Sequence, residues 1–385
     1  MKRFFSLLLA LAMLVSLCAC NKTMVIVEDV SYAELFDELP ETVVDAEPTE
    51  DELRAAAVDK LLTSMTKEEL VGQLVFARVP AENAVADVSA YKLGGYILFG
   101  RDTEGKTAND IIQTISAYQN AAKTPLFIGV DEEGGSVVRV SSNKKLRSEK
   151  FLSPQSLLIS GGMDAIIADT HEKDLLLRAL GFNVNFAPVA DVCTKPSAFI
   201  FPRAFGQNGA ATANYVEAVV EQMNADGMAS VIKHFPGYGD SADTHTGTVT
   251  DERTMEAFTG EDLLPFRAGV EAGAPFVLVS HNIVTCMDAE RPASLSPAVN
   301  KILREQLGSA PLAITDDLSM AAAQVENAAV LAIAAGNDMI LSTNYQADIA
   351  AILAAIEDGT LSLDTVKEAC RRVLTCKAEL GILKV

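Results

Sequence analysis

Residues 228–247 read Met-Ala-Ser-Val-Ile-Lys-His-Phe-Pro-Gly-Tyr-Gly-Asp-Ser-Ala-Asp-Thr-His-Thr-Gly. An apolar run, Met228 to Ile232, ends on the cation Lys233 and passes into a Gly/Pro-rich loop that holds two histidines and two aspartates. The first part of this pattern, an apolar run with a polar tip, recurs along the chain. The other runs are Leu74-Val-Phe-Ala, Gly95-Tyr-Ile-Leu-Phe, Leu126-Phe-Ile-Gly-Val, Val184-Asn-Phe-Ala-Pro-Val, Phe276-Val-Leu-Val, Leu312-Ala-Ile and Asp338-Met-Ile-Leu, which makes eight in all. Such near-continuous apolar runs suit parallel strands buried on both faces.

The segments between the runs read as helices. Thr66-Lys-Glu-Glu69 is a capping box, in which the first hydroxyl and the last carboxylate satisfy each other's free backbone N–H groups. Ser296-Pro297 opens a helix that Gly308 closes, and residues 261–273 carry apolar positions at helical spacing. Eight strand–helix alternations predict an α/β fold, a (β/α)8 barrel forming a single catalytic domain over residues 53–385. A doubly wound open sheet is the alternative. It fits less well, because no Gly-rich phosphate-binding turn follows an early strand.

Nearly every run ends in a polar residue: Arg78, Arg101, Asp131, Asp191, Lys233 with His234, His281, Asp316 and Ser342. Strand ends turn polar wherever they approach solvent, but so many charged and imidazole tips exceed what that requires. In a barrel they share one face, where active sites are built. Asp243 and His245 flank a single residue, so a short loop lets the carboxylate orient the imidazole as a general acid/base near neutral pH. His171, in the helical stretch Asp169-Thr-His-Glu-Lys-Asp, reads as a surface residue.

The chain has 385 residues and a net charge of −21, which disfavours nucleic acid as a partner and demands a locally positive pocket for any anionic substrate. Residues 1–20 read as a targeting segment: Lys2 and Arg3, then an apolar stretch from Phe4 to Leu17, then Leu17-Cys18-Ala19-Cys20. The pattern resembles a bacterial lipoprotein signal with Cys20 as the lipid anchor. It predicts an extracytoplasmic protein attached to the bacterial cell membrane, or a secreted one if Cys20 is not lipidated. Residues 21–52 are acidic and carry Pro40 and Pro48, as expected of a flexible arm. Cys193, Cys286, Cys370 and Cys376 show no metal-type spacing and read as small core hydrophobes or free thiols.

Seven segments in order resemble glycoside hydrolase family 3, in its bacterial β-N-acetylglucosaminidase branch. They are Val130-Asp-Glu-Glu-Gly-Gly135, Asn185-Phe-Ala-Pro-Val-Ala-Asp191, Arg203-Ala-Phe-Gly206, Lys233-His-Phe-Pro-Gly237, Asp243-Thr-His245, Ser280-His281 and Thr315-Asp-Asp-Leu-Ser-Met320. The resemblance implies an exo-acting, retaining β-N-acetylhexosaminidase that works through a covalent glycosyl-enzyme on cell-wall-derived or chitin-type oligosaccharides. By the same resemblance Asp316 is the nucleophile, His245 the acid/base and Asp243 the residue that orients it. Asp131, Arg203, Lys233 and His234 hold the sugar hydroxyls, and neither metal nor cofactor is needed. Asp317 is the rival of Asp316, with a helix N-cap as its structural alternative. Asn185 and Asp191 read equally as structural support. The positions of His281 and Arg139 relative to the pocket stay open. Tyr238 stands where the family loop carries a histidine, and Thr246-Gly-Thr-Val follows His245 where the family often has Leu-Pro, so substrate preference is open.

Three rivals frame this reading. A family 3 β-glucosidase or glycoside phosphorylase would keep the fold and change the substrate or acceptor. A lipid-anchored sugar-binding protein would not need Asp316 together with the Asp243/His245 pair. A metal-dependent hydrolase would recruit His234, His245 and His281, but the first strand lacks a His-x-His pair. A monomer is expected.

Overall fold

The computed structural model describes residues 48–239, 243–244, 247–308 and 311–384. The targeting segment with Cys20, most of the acidic arm, and His245 lie outside the described residues. All eight apolar runs form strands. They are β1 (Val75–Arg78), β2 (Gly95–Leu98), β3 (Phe127–Val130), β4 (Val184–Asn185), β5 (Ala229–Phe235), β7 (Phe276–Val279), β9 (Leu312–Asp317) and β10 (Met339–Ser342). Every neighbouring pair is parallel, and the sheet closes in the order β1-β10-β9-β7-β5-β4-β3-β2. Two further strands, β6 (Thr250–Asp251) and β8 (Ile283–Val284), pair outside the barrel. Each is only two residues long, too short to leave a pattern in the sequence.

The fourth run is shorter as a strand than the sequence predicts. Pro188 has no N–H to offer the ladder, so regular pairing stops at Asn185. Contact with β5 continues irregularly through a bridge between Val189 and Lys233 and through the bond from Ala190 N to Lys233 O, 2.6 Å. This keeps Asp191 beside the tip of β5.

Aromatic rings fill the inside of the barrel. Phe76 stacks on Phe127 at 6.1 Å between ring centroids and meets Phe186 edge-on at 5.2 Å, while Phe127 meets Phe276 at 5.1 Å. Room for these rings comes from glycine on the neighbouring strands. A Cβ on Gly129 would lie 2.6 Å from Phe186 Cε2 and 2.8 Å from Phe76 Cζ. Below this plug, the buried Lys377 places its ammonium 4.9 Å from the Phe127 ring centre and donates to Gln73 Oε1 at 2.7 Å. Burial lowers its pKa to about 7.

The helices start and stop where the sequence places their signals. Thr66 and Glu69 form the capping box, and Ser296 caps Pro297–Leu307 ahead of Gly308. Residues 261–271 are helical, the first two within a π-helical turn. One boundary moves. Thr49 and Glu52 form a second capping box, so Glu50, Asp51 and Glu52 are the first turn of the helix Glu50–Ser64 and not the end of the arm. Carboxylates there face the positive end of the helix dipole. Cys193, Cys370 and Cys376 are buried, Cys286 is exposed, and none of the four is joined in a disulfide. His171 is on the surface, 2.7 Å from Asp226. Among the described residues no helix is long and apolar enough to cross a membrane.

Gly129→Ala is expected to destabilise the fold by about 1–3 kcal/mol, because the added methyl overpacks the aromatic plug. Urea midpoints check this, and adding Phe186→Leu to the variant should restore part of the loss.

Candidate active site

The C-terminal ends of the barrel strands enclose a cavity of about 520 Å³. Its lining includes Arg78 from β1, Asp131 beyond β3, Lys233 and His234 from β5, and Asp316 and Asp317 from β9; Arg139, Arg203 and Asp243 come from loops. Asp131, Arg203, Lys233, His234, Asp243 and Asp316, expected from the sequence to share a site, therefore do so. Arg101, Asp191, His281 and Ser342 do not line the cavity. Arg101 pairs with Asp102 and donates to the Val79 carbonyl, and Ser342 donates to Asp348 Oδ2 at 2.5 Å.

The three consecutive carboxylates after β3 have three different tasks. Asp131 Oδ1 accepts from Lys233 Nζ at 2.7 Å. Glu132 turns inward and accepts the backbone N–H groups of Arg139, Val140 and Ser141 at 2.7, 2.6 and 3.1 Å, fastening the returning loop. Glu133 is shared by two cations: Arg203 grips it with Nε at 2.9 Å and Nη2 at 2.8 Å, and Lys233 Nζ lies 2.6 Å from Oε1. Burial alone would raise the pKa of Glu133, but Arg203 and Lys233 outweigh it and hold the carboxyl well below the usual carboxylate range. The chain reverses between these residues at Gly134, whose φ is +99° and whose Cβ would sit 2.1 Å from the Leu152 carbonyl oxygen, so only glycine fits. Sequence reasoning missed the role of Glu133. Its signal was there: a third carboxylate beside a Gly-Gly turn, in a fold that gathers cations at its strand tips.

Asp191 supports the site from behind. It is fully buried; its Oδ2 accepts from the His234 backbone at 3.1 Å and meets His234 Nδ1 at 2.7 Å, while its Oδ1 accepts from Tyr238 N at 2.7 Å. His234 Nε2 faces the Arg203 guanidinium at 3.2 Å and must accept there, which assigns the ring proton to Nδ1. Both ring nitrogens of His234 thus have protein partners, and the residue props Arg203 while exposing little of itself. Asn185 pairs with the Glu132 backbone through both amide atoms, at 3.0 and 3.2 Å.

The two carboxylates of β9 differ in their engagements. Asp317 Oδ1 accepts from Ser319 N at 2.9 Å and Thr343 N at 3.3 Å, and its Oδ2 accepts from Thr343 Oγ1 at 2.6 Å. It fixes the turn after β9 to the end of β10, so its structural role is that of a turn anchor; the helix N-cap considered from the sequence is not formed. Asp316 Oδ1 accepts from Asp317 N at 2.8 Å. His281 lies behind this pair, buried, with Nδ1 on Ser294 Oγ at 2.6 Å and Nε2 on the Asp317 carbonyl at 3.1 Å.

Tyr238 is part of the loop's own core. It packs with Val189, Cys193, Ala198, Ile200 and Ala204, meets His234 edge-on at 5.1 Å, and hydrogen-bonds Thr244 Oγ1 at 2.5 Å. Burial, reinforced by the nearby charge of Asp316, raises the phenol pKa well above its usual value and keeps it neutral. The bond to Thr244, itself fully buried, ties the loop down beside Asp243. Arg253 secures the same loop by donating to the Gly237 carbonyl at 2.9 Å while paired with Asp251 and Asp262. Among the described residues no group of three His, Cys, Asp or Glu side chains is placed to hold a metal ion.

Glu133→Gln would leave Arg203 and Lys233 buried with too little counter-charge, and is expected to cost about 3–5 kcal/mol in urea denaturation. The folded-state pKa of Glu133 is depressed, so its contribution is complete above about pH 4.3 and is lost as pH falls below that. The gap between wild type and variant should therefore narrow in acid.

Comparison with known proteins places the chain. Residues 66–376 match the glycosyl hydrolase family 3 N-terminal domain. A beta-hexosaminidase of Xanthomonas oryzae is 33% identical over 239 residues, 60% of this chain and 69% of that protein. Beta-hexosaminidase LpqI of Mycobacterium tuberculosis is 32% identical over 327 residues, 81% of this chain and 82% of that protein. Among solved structures, a family 3 beta-N-acetylglucosaminidase from Paenibacillus superposes with a TM-score of 0.78 at 29% identity, covering 83% of this chain and 63% of that one. The chain belongs to glycosyl hydrolase family 3 and is a glycoside hydrolase.

Proposed function

We propose that this protein is an exo-acting, retaining β-N-acetylhexosaminidase that releases terminal β-linked N-acetylglucosamine from cell-wall-derived or chitin-type oligosaccharides. The observation that carries the reading is the meeting of Asp316 and Asp243 in one cavity with the Asp131, Lys233, Glu133 and Arg203 network. The names of the relatives at 32–33% identity support the sugar.

In this reading Asp316 attacks the anomeric carbon and forms a glycosyl ester. His245, oriented by Asp243, protonates the leaving oxygen and then takes a proton from the incoming water. Asp131, Arg203 and Lys233 grip the hydroxyls by charge-assisted hydrogen bonds, with His234 holding Arg203 in place. Asp317, occupied by Ser319 and Thr343, is the less suitable nucleophile. A covalent lipid on Cys20 would keep the enzyme at the outer face of the membrane as a monomer.

The test is turnover of p-nitrophenyl β-N-acetylglucosaminide by wild type, Asp316→Ala, His245→Ala and Asp317→Asn. Loss of the nucleophile or the acid/base is expected to lower kcat by about 10²–10⁴-fold. Asp317→Asn should lose stability more than chemistry. A wild type that cleaves only the β-glucoside would move the substrate class, and one that cleaves neither would overturn the reading.

A further inference from the structure

Arg253 stands outside the cavity and joins three separate segments of the chain. It donates to Asp251 through Nε at 3.0 Å and Nη2 at 2.7 Å, to both oxygens of Asp262 through Nη1 at 2.9 and 2.8 Å, and to the Gly237 carbonyl through Nη2 at 2.9 Å. All five N–H donors of its planar fork are thereby used. Asp251 and Asp262 are buried. Two features that the barrel itself does not require meet here. Asp251 ends β6, which pairs with β8 outside the barrel, and its carbonyl accepts from Thr285 N at 2.9 Å. Asp262 ends the π-helical turn Phe258–Asp262, which also sets the Phe258 ring 4.3 Å from the guanidinium carbon. Such turns are rare and gather at functional sites.

The third segment is the loop that leads to Asp243. A Cβ on Gly237 would lie 2.6 Å from Asp262 Oδ1, and one on Gly239 would lie 2.5 Å from Arg253 Cζ, so the loop backbone rests directly on the ion pair. Tyr238, between them, packs into the small core, with its N–H on Asp191 and its hydroxyl on Thr244. Residues 237–239 are thus held by Arg253 through their backbone and by the small core through the Tyr238 ring. Thr244 is buried and stands in the chain between Asp243, which lines the cavity, and His245. Arg253, Asp251, Asp262, Tyr238 and Thr244 do not line the cavity. A buried ion-pair network of this kind is weak as a source of net stability. What it supplies is direction: a planar fork gripped on three edges cannot turn without breaking contacts at all of them.

We infer that Arg253, clamped by Asp251 and Asp262, and Tyr238, acting through Thr244, are positioning residues for the acid/base pair Asp243 and His245. The inference rests on the glycosidase reading of the cavity. It adds that acid assistance to the leaving group is set from outside the cavity, by the π-helical turn and the β6–β8 pair.

Leaving-group dependence tests this, because a displaced acid matters only where the leaving oxygen needs a proton. The full-length protein is assayed on phenyl and on 2,4-dinitrophenyl β-N-acetylglucosaminide, with kcat/KM reporting the step that forms the glycosyl-enzyme. Arg253→Met and Tyr238→Phe should each lower kcat/KM on the phenyl glycoside by about tenfold or more, and on the dinitrophenyl glycoside by no more than about threefold. Arg253→Lys, which keeps the charge but not the fork, should recover part of the loss. A general structural defect would lower both substrates alike. Urea midpoints show whether the variants fold; Tyr238→Phe removes one oxygen only and decides the matter if Arg253→Met does not fold. His245→Ala is the control and should show the same split, enlarged. A split in His245→Ala with equal effects, or none, on the two substrates in Tyr238→Phe and in the folded Arg253 variants overturns the inference and leaves the glycosidase reading standing. No split in His245→Ala overturns the acid/base assignment and the inference with it.

Discussion

The site depends on one carboxylate shared by two cations. Glu133 lies between Arg203 and Lys233, and through them it reaches Asp131 on one side and His234 with Asp191 on the other. Glu133, Lys233, His234 and Asp191 are buried and Asp131 and Arg203 largely so, and removing a buried member leaves a charge or a donor uncompensated. The result is a preorganised wall of alternating charge on which sugar hydroxyls can be held without prior reorganisation. Rigidity here also sets the position of the Asp243 loop, because Asp191 takes both the His234 backbone and the Tyr238 backbone as donors.

The barrel makes that wall possible. Aromatic rings occupy its interior up to the level of Phe76 and Phe186, and the polar tips begin immediately above. Residues far apart in sequence become neighbours as a consequence of strand order alone: Glu133 and Arg203 are 70 positions apart, Asp131 and Lys233 102. The glycines of β2 and β3 make room for the rings, while Gly134 and Gly135, directly after the three carboxylates, let the chain turn close against Leu152 and Ser153.

Much of this was legible in the sequence, for identifiable reasons. The strands were visible because both of their faces are buried, which makes each a continuous apolar run. Their tips were visible because charge appears where burial ends. The capping boxes at Thr66 and the Ser296-Pro297 start are local and were read directly. Partner identity was hidden. Nothing near Glu133 announces that it serves Arg203 and Lys233, and nothing near His234 announces that Asp191 and Arg203 occupy both its nitrogens. In the sequence Tyr238 shows only as a replacement for the histidine of the family loop, whereas in the fold its ring fills a small core and its hydroxyl ties down Thr244. The pair Thr250–Asp251 and Ile283–Val284 escaped because two residues carry no periodicity.

In the proposed reaction Asp316 becomes covalently glycosylated. The most direct measurement is peptide mass spectrometry of the full-length protein after incubation with a fluorinated N-acetylglucosaminyl fluoride that slows breakdown of the intermediate. One added sugar is expected on the peptide that contains Asp316, assigned by fragmentation to that residue and absent from Asp316→Ala. A sugar on Asp317 instead, or continued turnover with no trapped sugar on any carboxylate, would contradict it.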